Sequence, residues 1–341
     1  MLFDTFGSEW LLEGWDKNLR LTKQLISVPH FSFRVNNILH HIKFGKFVLD
    51  CMKNYDVFHF YSNWSLFPGK WLNLDLFPLY RDLPILRSLG KKIVFHRIGC
   101  SDSKLKTNFS KLDPCVCSVC KAGFSGLCND KKTAFQCFIQ KKYGHATITG
   151  LPDMSDFDQE SIYVPATIDL DRWKFKESRN ISAAEPIKVI QVAGNLDSRG
   201  DTKGVRYTTQ AIKRLKESGC NVDLAIVDRI PIHNMPSVIE RADIVVDQLL
   251  FGWFGLSAIE AMALGKPVIA YLRESWLQFH CEHFSKPPIV EAHPKDLFTV
   301  LRELIRKEDL PRLGLQCRRY VEEVHDPLKI GQKLIEQYST V

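Results

Sequence analysis

Residues Asp243 to Leu264 read DIVVDQLLFGWFGLSAIEAMAL and continue into Gly265–Tyr271, GKPVIAY. The β-branched run Asp243–Val246 gives way to a loop holding Gly252 and Gly255. A helical pattern follows from Leu256 to Leu264, and a second apolar run, Pro267–Tyr271, closes the unit. Strand, loop, helix, strand is the repeating unit of a parallel sheet. Upstream, Ile187–Ala193 (IKVIQVA) predicts a strand, Lys203–Ser218 a helix, Asp223–Val227 a strand and 235–241 a short helix. The first half alternates too: strands at Asp56–Tyr61, Lys91–Ile98, Ala146–Thr149 and Ser161–Val164, helices near 35–53, 80–89 and 130–142. Between the halves, Lys176–Pro186 (KESRNISAAEP) has the polar, small-residue composition of a linker. The pattern predicts an α/β fold of two Rossmann-like domains facing across a cleft, with ligands at the carboxyl ends of the strands.

Composition agrees with that reading. A chain of 341 residues is long enough for two domains, and 45% hydrophobic with 25% charged residues excludes a disordered, collagenous or membrane-embedded chain. The apolar stretch Gln248–Ile259 spans 12 uncharged residues, short of the ~20 needed to cross a bilayer. The first ten residues hold Asp4 and Glu9 and no basic residue, the reverse of a secretory leader, so the expected location is cytoplasmic. Charge is uneven: residues 91–150 carry 11 basic and 3 acidic side chains, and the rest of the chain sums to −1. Such a window is a solvated face or attracts an anionic partner.

Of ten cysteines, Cys115, Cys117, Cys120 and Cys128 cluster as C-x-C-x2-C-x7-C in a polar loop. Thiolates this close in a reducing compartment share a metal, and the expectation is a structural zinc, with an iron–sulfur cluster or free thiols as alternatives. A fully thiolate-bound zinc leaves no open position for catalysis.

The strand Ile187–Ala193 runs into GNLDSRGDTKG, Gly194–Gly204, and then a helix. Small residues before a helix start suit a diphosphate: backbone N–H groups and the helix dipole face the anion, and Arg199 or Lys203 supplies charge. Neither G-x-G-x-x-G nor G-x4-G-K-[ST] is present, which disfavours nicotinamide cofactors and P-loop nucleotides. Downstream, Gly252-Trp253-Phe254-Gly255-Leu256 opens a helix carrying Glu260 one turn in. The helix start receives a phosphate and the carboxylate accepts two sugar hydroxyls, a combination that fits a ribose linked to a diphosphate. The competing readings are an ordinary turn for the first loop and a buried amphipathic helix for the second segment.

GLSAIEAMALGKPVIAY resembles the donor-site signature of the retaining GT-B glycosyltransferases, the "glycosyl transferases group 1" set, written E-x-F-G-L-x-x-x-E-A-M-A-x-G-x-P-V. GNLDSRGDTKGVRYTTQAI resembles the family's diphosphate loop and SIYVPATIDLDRWKF its passage between domains. HDPLKIGQKLIEQY resembles the C-terminal helix that crosses back to the first domain. The resemblance implies an acceptor-binding domain over 1–175 with the Cys-rich loop at 113–130, a nucleotide-sugar-binding domain over 176–315, and a crossover helix over 316–341. It implies that Glu260 holds the donor ribose, that Lys203 with Gly204 contacts the phosphates, and that the Gly255 and Leu256 backbone does so too. Asn195 stands where many members have Arg, a charge that Arg199 would replace. The first signature Glu is here Gly252, which leaves Trp253 or Asp247 to contact the sugar. His96, at a strand end, is the candidate for the family's histidine near the transferred sugar, with His59 second and Asn63 on the acceptor side. MLFDTFGSEW shows no clear opening strand.

Two D-x-D triplets, Asp156–Asp158 and Asp169–Asp171, are read as loop and interdomain segments rather than a metal site. The expectation is therefore a glycosyltransferase with no catalytic cofactor, acting on a glycan or lipid-linked acceptor, with peripheral contact to an anionic membrane face compatible with the basic window. Two rivals stand beside it. A degenerate GT-B subunit would bind without turnover, and a nucleic-acid-binding module would use the cysteine loop and basic window but leave the donor signature unexplained.

Overall fold

The computed structural model describes residues 3–4, 17–18, 30–69, 76–100, 105–121, 128–150, 161–177, 184–306 and 309–340. Backbone contacts divide the chain into two units, Met1–Ile98 with Gln136–Ile148, and Gly99–Phe135 with Thr149–Thr340.

In the first unit, β1 (Phe3–Asp4) pairs in parallel with β2 (Lys17–Asn18), so the opening segment does hold a short strand. The helix His30–Asn54 precedes β3 (Val57–Tyr61), which pairs in parallel with β4 (Lys92–Arg97), placing Tyr61 opposite His96. β5 (Ala146–Thr149) lies next to β4. Phe44, Phe47, Val48 and Cys51 recur at helical spacing and bury one face of the first helix. They meet Phe58, Ile93 and Phe95 from the strands and Leu83 and Leu86 from the helix Asp82–Ser88. Asp82 is fully buried and holds the loop after β3: its carboxylate accepts Ser65 Oγ at 2.8 Å and Leu66 N at 2.7 Å.

The second unit contains β6 (Ile162–Tyr163), β7 (Ile187–Gly194), β8 (Val222–Asp228), β9 (Ile244–Val246), β10 (Val268–Ala270) and β11 (Val290–Glu291). Its five-stranded sheet runs β11–β10–β9–β7–β8, and every pair with a given register is parallel. Ile244, Val245, Val246, Val268, Ile269 and Ala270 are all but inaccessible, as expected of short apolar runs covered on both faces. Thr208, Ala211, Ile212 and Leu215 form the buried stripe of the helix Val205–Glu217. The chain leaves β7 for β8 on one side and returns to β9 on the other, so the strand order reverses between β7 and β9. In doubly wound sheets ligands enter at that point, at the carboxyl ends of the strands.

The domain boundary differs from the one expected at 175: residues 99–135 and 149–175 belong to the second unit. Trp173 is buried there, and Arg318 Nη1 donates to the carbonyls of Trp173 and Ala263 at 2.7 and 2.8 Å. The polar composition of 176–186 therefore marks an excursion inside a unit; its residues 178–183 lie outside the described residues. The expected C-terminal helix is two helices, Leu310–Val324 and Pro327–Thr340, broken where Pro327 disfavours a helical Asp326. Among the described residues no helix is long and apolar enough to cross a membrane.

Candidate nucleotide-binding site

Three loops leave the carboxyl ends of β7, β9 and β10, and a buried polar network joins the first two. Gln191, in the middle of β7, is the uncharged polar residue inside an apolar run, and its Nε2 donates to the carbonyls of Lys203 and Asp247 at 3.2 Å each. Leu249 N donates to Lys203 O at 3.1 Å. Lys203 Nζ in turn reaches Asp247 Oδ1 at 3.1 Å and contacts Ser257 Oγ. Asp247, 1% exposed, also accepts Ser257 Oγ at 2.7 Å and Gly255 N at 2.6 Å. Burial opposes its charge, but the Lys203 ammonium and these donors outweigh burial and hold the carboxyl below its ordinary range. The pair fixes an ammonium at the start of the helix Leu256–Ala263.

That helix is buried almost all round. Ser257, Ala258, Ile259, Ala261, Met262 and Ala263 are covered, while Leu256 is 61% exposed and Glu260 is half-buried. Leu256 and Glu260 are four residues apart and share a face, so the open stripe of the helix is this pair. Burial pushes the Glu260 carboxyl up to about 7 against the lowering effect of Lys203, with Asp247 raising it further and Arg172 lowering it. A carboxylate, an ammonium and a helix N-terminus thus meet at one sheet edge.

Several expected residues take other roles. Asp247 is enclosed by Lys203, Ser257 and Gly255, so it positions the site rather than facing a sugar. Trp253 is 4% exposed, stacked on Phe109 at 5.8 Å with a 15° interplanar angle, and Gln248 Nε2 donates to its carbonyl at 2.6 Å. It belongs to the core beneath the loop. The Gly255 amide is engaged by Asp247, which leaves Leu256 as the open residue at the helix start. Asn195 caps the short helix Leu196–Arg199, its Oδ1 accepting Ser198 N at 2.9 Å; Arg199 is exposed in the last turn. Gly204 is buried against Leu249 and Leu250.

The cysteine segment lies under these loops, not in the first unit. Gly200 has φ +76°, and a Cβ there would stand 2.4 Å from Val119 O. Lys121 Nζ donates to Asp197 O at 2.9 Å. Cys115 Sγ accepts Cys117 N at 3.2 Å, and burial together with the neighbouring thiols of Cys115, Cys100 and Cys128 pushes the Cys117 thiol up to about 12. The ten cysteines form no disulfide, and among the described residues no three His, Cys, Asp or Glu side chains stand in a metal-holding arrangement. Asp156–Asp158 lies outside the described residues.

In the first unit, His59, Tyr61 and His96 form a ring stack at the carboxyl ends of β3 and β4. His59 lies 4.9 Å from Tyr61 and 5.3 Å from His96, and Tyr61 lies 4.8 Å from His96. Burial lowers His59 to about 4, and burial plus the His59 charge lowers His96 to about 3, so both rings are neutral at pH 7. Asn63 follows the strand, its Oδ1 accepting Gln140 Nε2 at 3.1 Å and its carbonyl accepting Tyr80 OH at 2.6 Å.

Residues 204–313 match the family model Glycosyl transferases group 1. Among solved structures the chain is similar to sucrose-phosphate synthase (tll1590) from Thermosynechococcus elongatus, at 15% identity and TM-score 0.56, covering 92% of this chain and 80% of that one. It is also similar to Anabaena Alr3699/HepE in complex with UDP, at 13% identity and TM-score 0.54, covering 91% and 90%. At such identities the likeness shows the fold, which is that of the GT-B glycosyltransferases. No curated protein matches the chain. The family match contains Lys203's neighbour Gly204, Asp247, Gly252–Leu256 and Glu260, so the buried network and the open helix stripe fall within or at the edge of the matched domain. Sequence reading missed Gln191, Ser257 and Arg172. The signal for Gln191 was a polar residue inside an apolar strand.

Proposed function

We propose that the protein is a glycosyltransferase that moves a sugar from a nucleoside-diphosphate sugar to a hydroxyl acceptor. The observation that carries this is the helix Leu256–Ala263, buried except for the Leu256–Glu260 stripe, with Lys203 anchored at its start. A diphosphate placed there meets an ammonium and the positive end of the helix dipole; a ribose one turn further in meets the Glu260 carboxylate. These groups stabilise the diphosphate as negative charge builds on it while the glycosidic bond breaks. UDP is the first nucleotide to test, because the Anabaena relative of the same fold was crystallised with UDP and with UDP-glucose. Retention at the anomeric carbon and a glycan or lipid-linked acceptor follow from the family resemblance alone. The neutral ring stack of His59, Tyr61 and His96 is the proposed acceptor-side surface of the first unit, offering aromatic faces to a sugar.

The test is slow donor hydrolysis, read as nucleoside diphosphate released from UDP-glucose or GDP-mannose by purified protein. Release that drops at least tenfold in Glu260→Gln supports the assignment. Release unaffected by that change overturns it.

A further inference from the structure

Gly252 is where this chain departs from the family signature, and the structure shows what fills the space. Its φ is +92°, a conformation side chains avoid, and a Cβ on it would stand 2.8 Å from Arg273 Nη2 and 2.9 Å from Arg273 Cζ. A side chain is strained there by the positive φ, and the group beside that position is the Arg273 guanidinium. The guanidinium is held in place: Arg273 N donates to Gly252 O at 2.7 Å, Nη2 donates to Phe251 O at 3.0 Å, and Cζ lies 5.9 Å above the Phe109 ring. Gly252 and Leu272 form a parallel bridge that locks the two loops together. Arg273 follows β10, at the same sheet end as Lys203 and Glu260.

Where the family signature has a carboxylate, this chain therefore presents a cation. A carboxylate suits the hydroxyls of a neutral sugar, whereas a planar guanidinium suits a carboxylate through paired N–H···O bonds. Resting on the nucleotide-sugar reading above, we propose that Arg273 is a specificity-determining residue selecting a donor whose sugar bears a carboxylate, a nucleoside-diphosphate hexuronic acid. Tyr271, half-buried two residues before it, hydrogen-bonds with Arg273 and flanks the same spot; the carboxylates of Asp113 and Glu291 act on that phenol as well. The diphosphate has its own partners in Lys203 and the helix start, which assigns Arg273 to the sugar.

The test compares dissociation constants of UDP, UDP-glucose and UDP-glucuronate, and of GDP, GDP-mannose and GDP-mannuronate. The proteins are the full chain, Arg273→Gln and Arg273→Lys. The expected result is a uronate at least tenfold tighter than its neutral counterpart in the parent protein. That ratio falls to near one in Arg273→Gln and is partly kept in Arg273→Lys, while the bare nucleotide binds all three within about twofold. Should Arg273→Gln fail to fold, the parent ratio and Arg273→Lys decide. Equal affinity for neutral and acidic sugars in the parent overturns the proposal. So does an Arg273→Gln protein that loses bare nucleotide as strongly as uronate, because the guanidinium would then serve the diphosphate. Absence of binding by either nucleotide in every form overturns the nucleotide-sugar reading itself, a distinct outcome.

Discussion

Glu260 carries the most information of any single side chain, because burial sets its carboxyl near 7 and Lys203 only partly offsets this. If the ionised form accepts the ribose hydroxyls, donor affinity rises with pH through that value. UDP-glucose has no ionisation of its own in this range, so its dissociation constant is expected to be about tenfold larger at pH 6 than at pH 8 and flat in Glu260→Gln, checked by calorimetric titration. Gly252 makes a second residue-scale claim. Gly252→Glu, which writes the family's carboxylate back in, forces a side chain into a positive φ and onto the Arg273 guanidinium. It is expected to cost about 1–3 kcal/mol in urea unfolding and to give no gain in turnover. Position 252 was visible in the sequence as a departure from the signature, but its reason was not: a positive φ and an arginine 21 residues downstream become neighbours only when β9 and β10 pair.

Among the elements, the strands β3 to β10 were legible to within about one residue per end, because short β-branched runs covered on both faces leave few alternatives, whereas the two-residue strands β1, β2 and β11 were missed. The signature helix was legible too. What composition could not show is where the segment 99–135 packs. Its polarity and basic charge suggest a surface loop of the first domain, yet Phe109 lies beneath Trp253, and Val119 O seats against Gly200. The contacts that recruit it are a buried aromatic pair and a glycine without a Cβ, neither of which has a periodic signal. Asp247 illustrates the same limit at the helix start. Read as a sugar contact, it is a fully enclosed carboxylate balanced by Lys203. Asp247→Ala strands that ammonium and the Gly255 and Ser257 donors, and is expected to destabilise the second unit by about 3–5 kcal/mol in urea unfolding. Loss of nucleotide binding would accompany it, so the stability readout separates this residue from Glu260.

On the scale of the whole molecule, buried histidines tie the fold to pH. His280 is enclosed with its two ring nitrogens against Tyr163 OH at 2.8 Å and Tyr320 OH at 2.7 Å, and His325 Nδ1 sits 2.6 Å from Ala166 O. Burial lowers both to about 4, as it does His59, and His96 falls to about 3. The unfolded chain protonates these rings near 6.5 and the folded one does not, so their contribution is whole above 6.5 and is lost as pH falls toward the folded values. Asp82 and Glu260, raised to about 6 and about 7, act in the opposite direction. For His325, 1% exposed, the loss between pH 7 and pH 5 is about 2 kcal/mol, and His325→Gln is expected to remove that part of the pH dependence in urea unfolding. None of this was legible in the sequence, where the partners of His280 and His325 lie 40 to 159 residues away. Donor binding at Glu260 is read most simply by thermal unfolding against UDP, GDP, ADP, dTDP and CMP sugars, repeated with Glu260→Ala. A donor at about 100 times its dissociation constant adds about 2.7 kcal/mol, several degrees for units of this size. A shift with one nucleotide that Glu260→Ala abolishes is expected; no shift with any of them, or a shift that survives the substitution, overturns the assignment of this site.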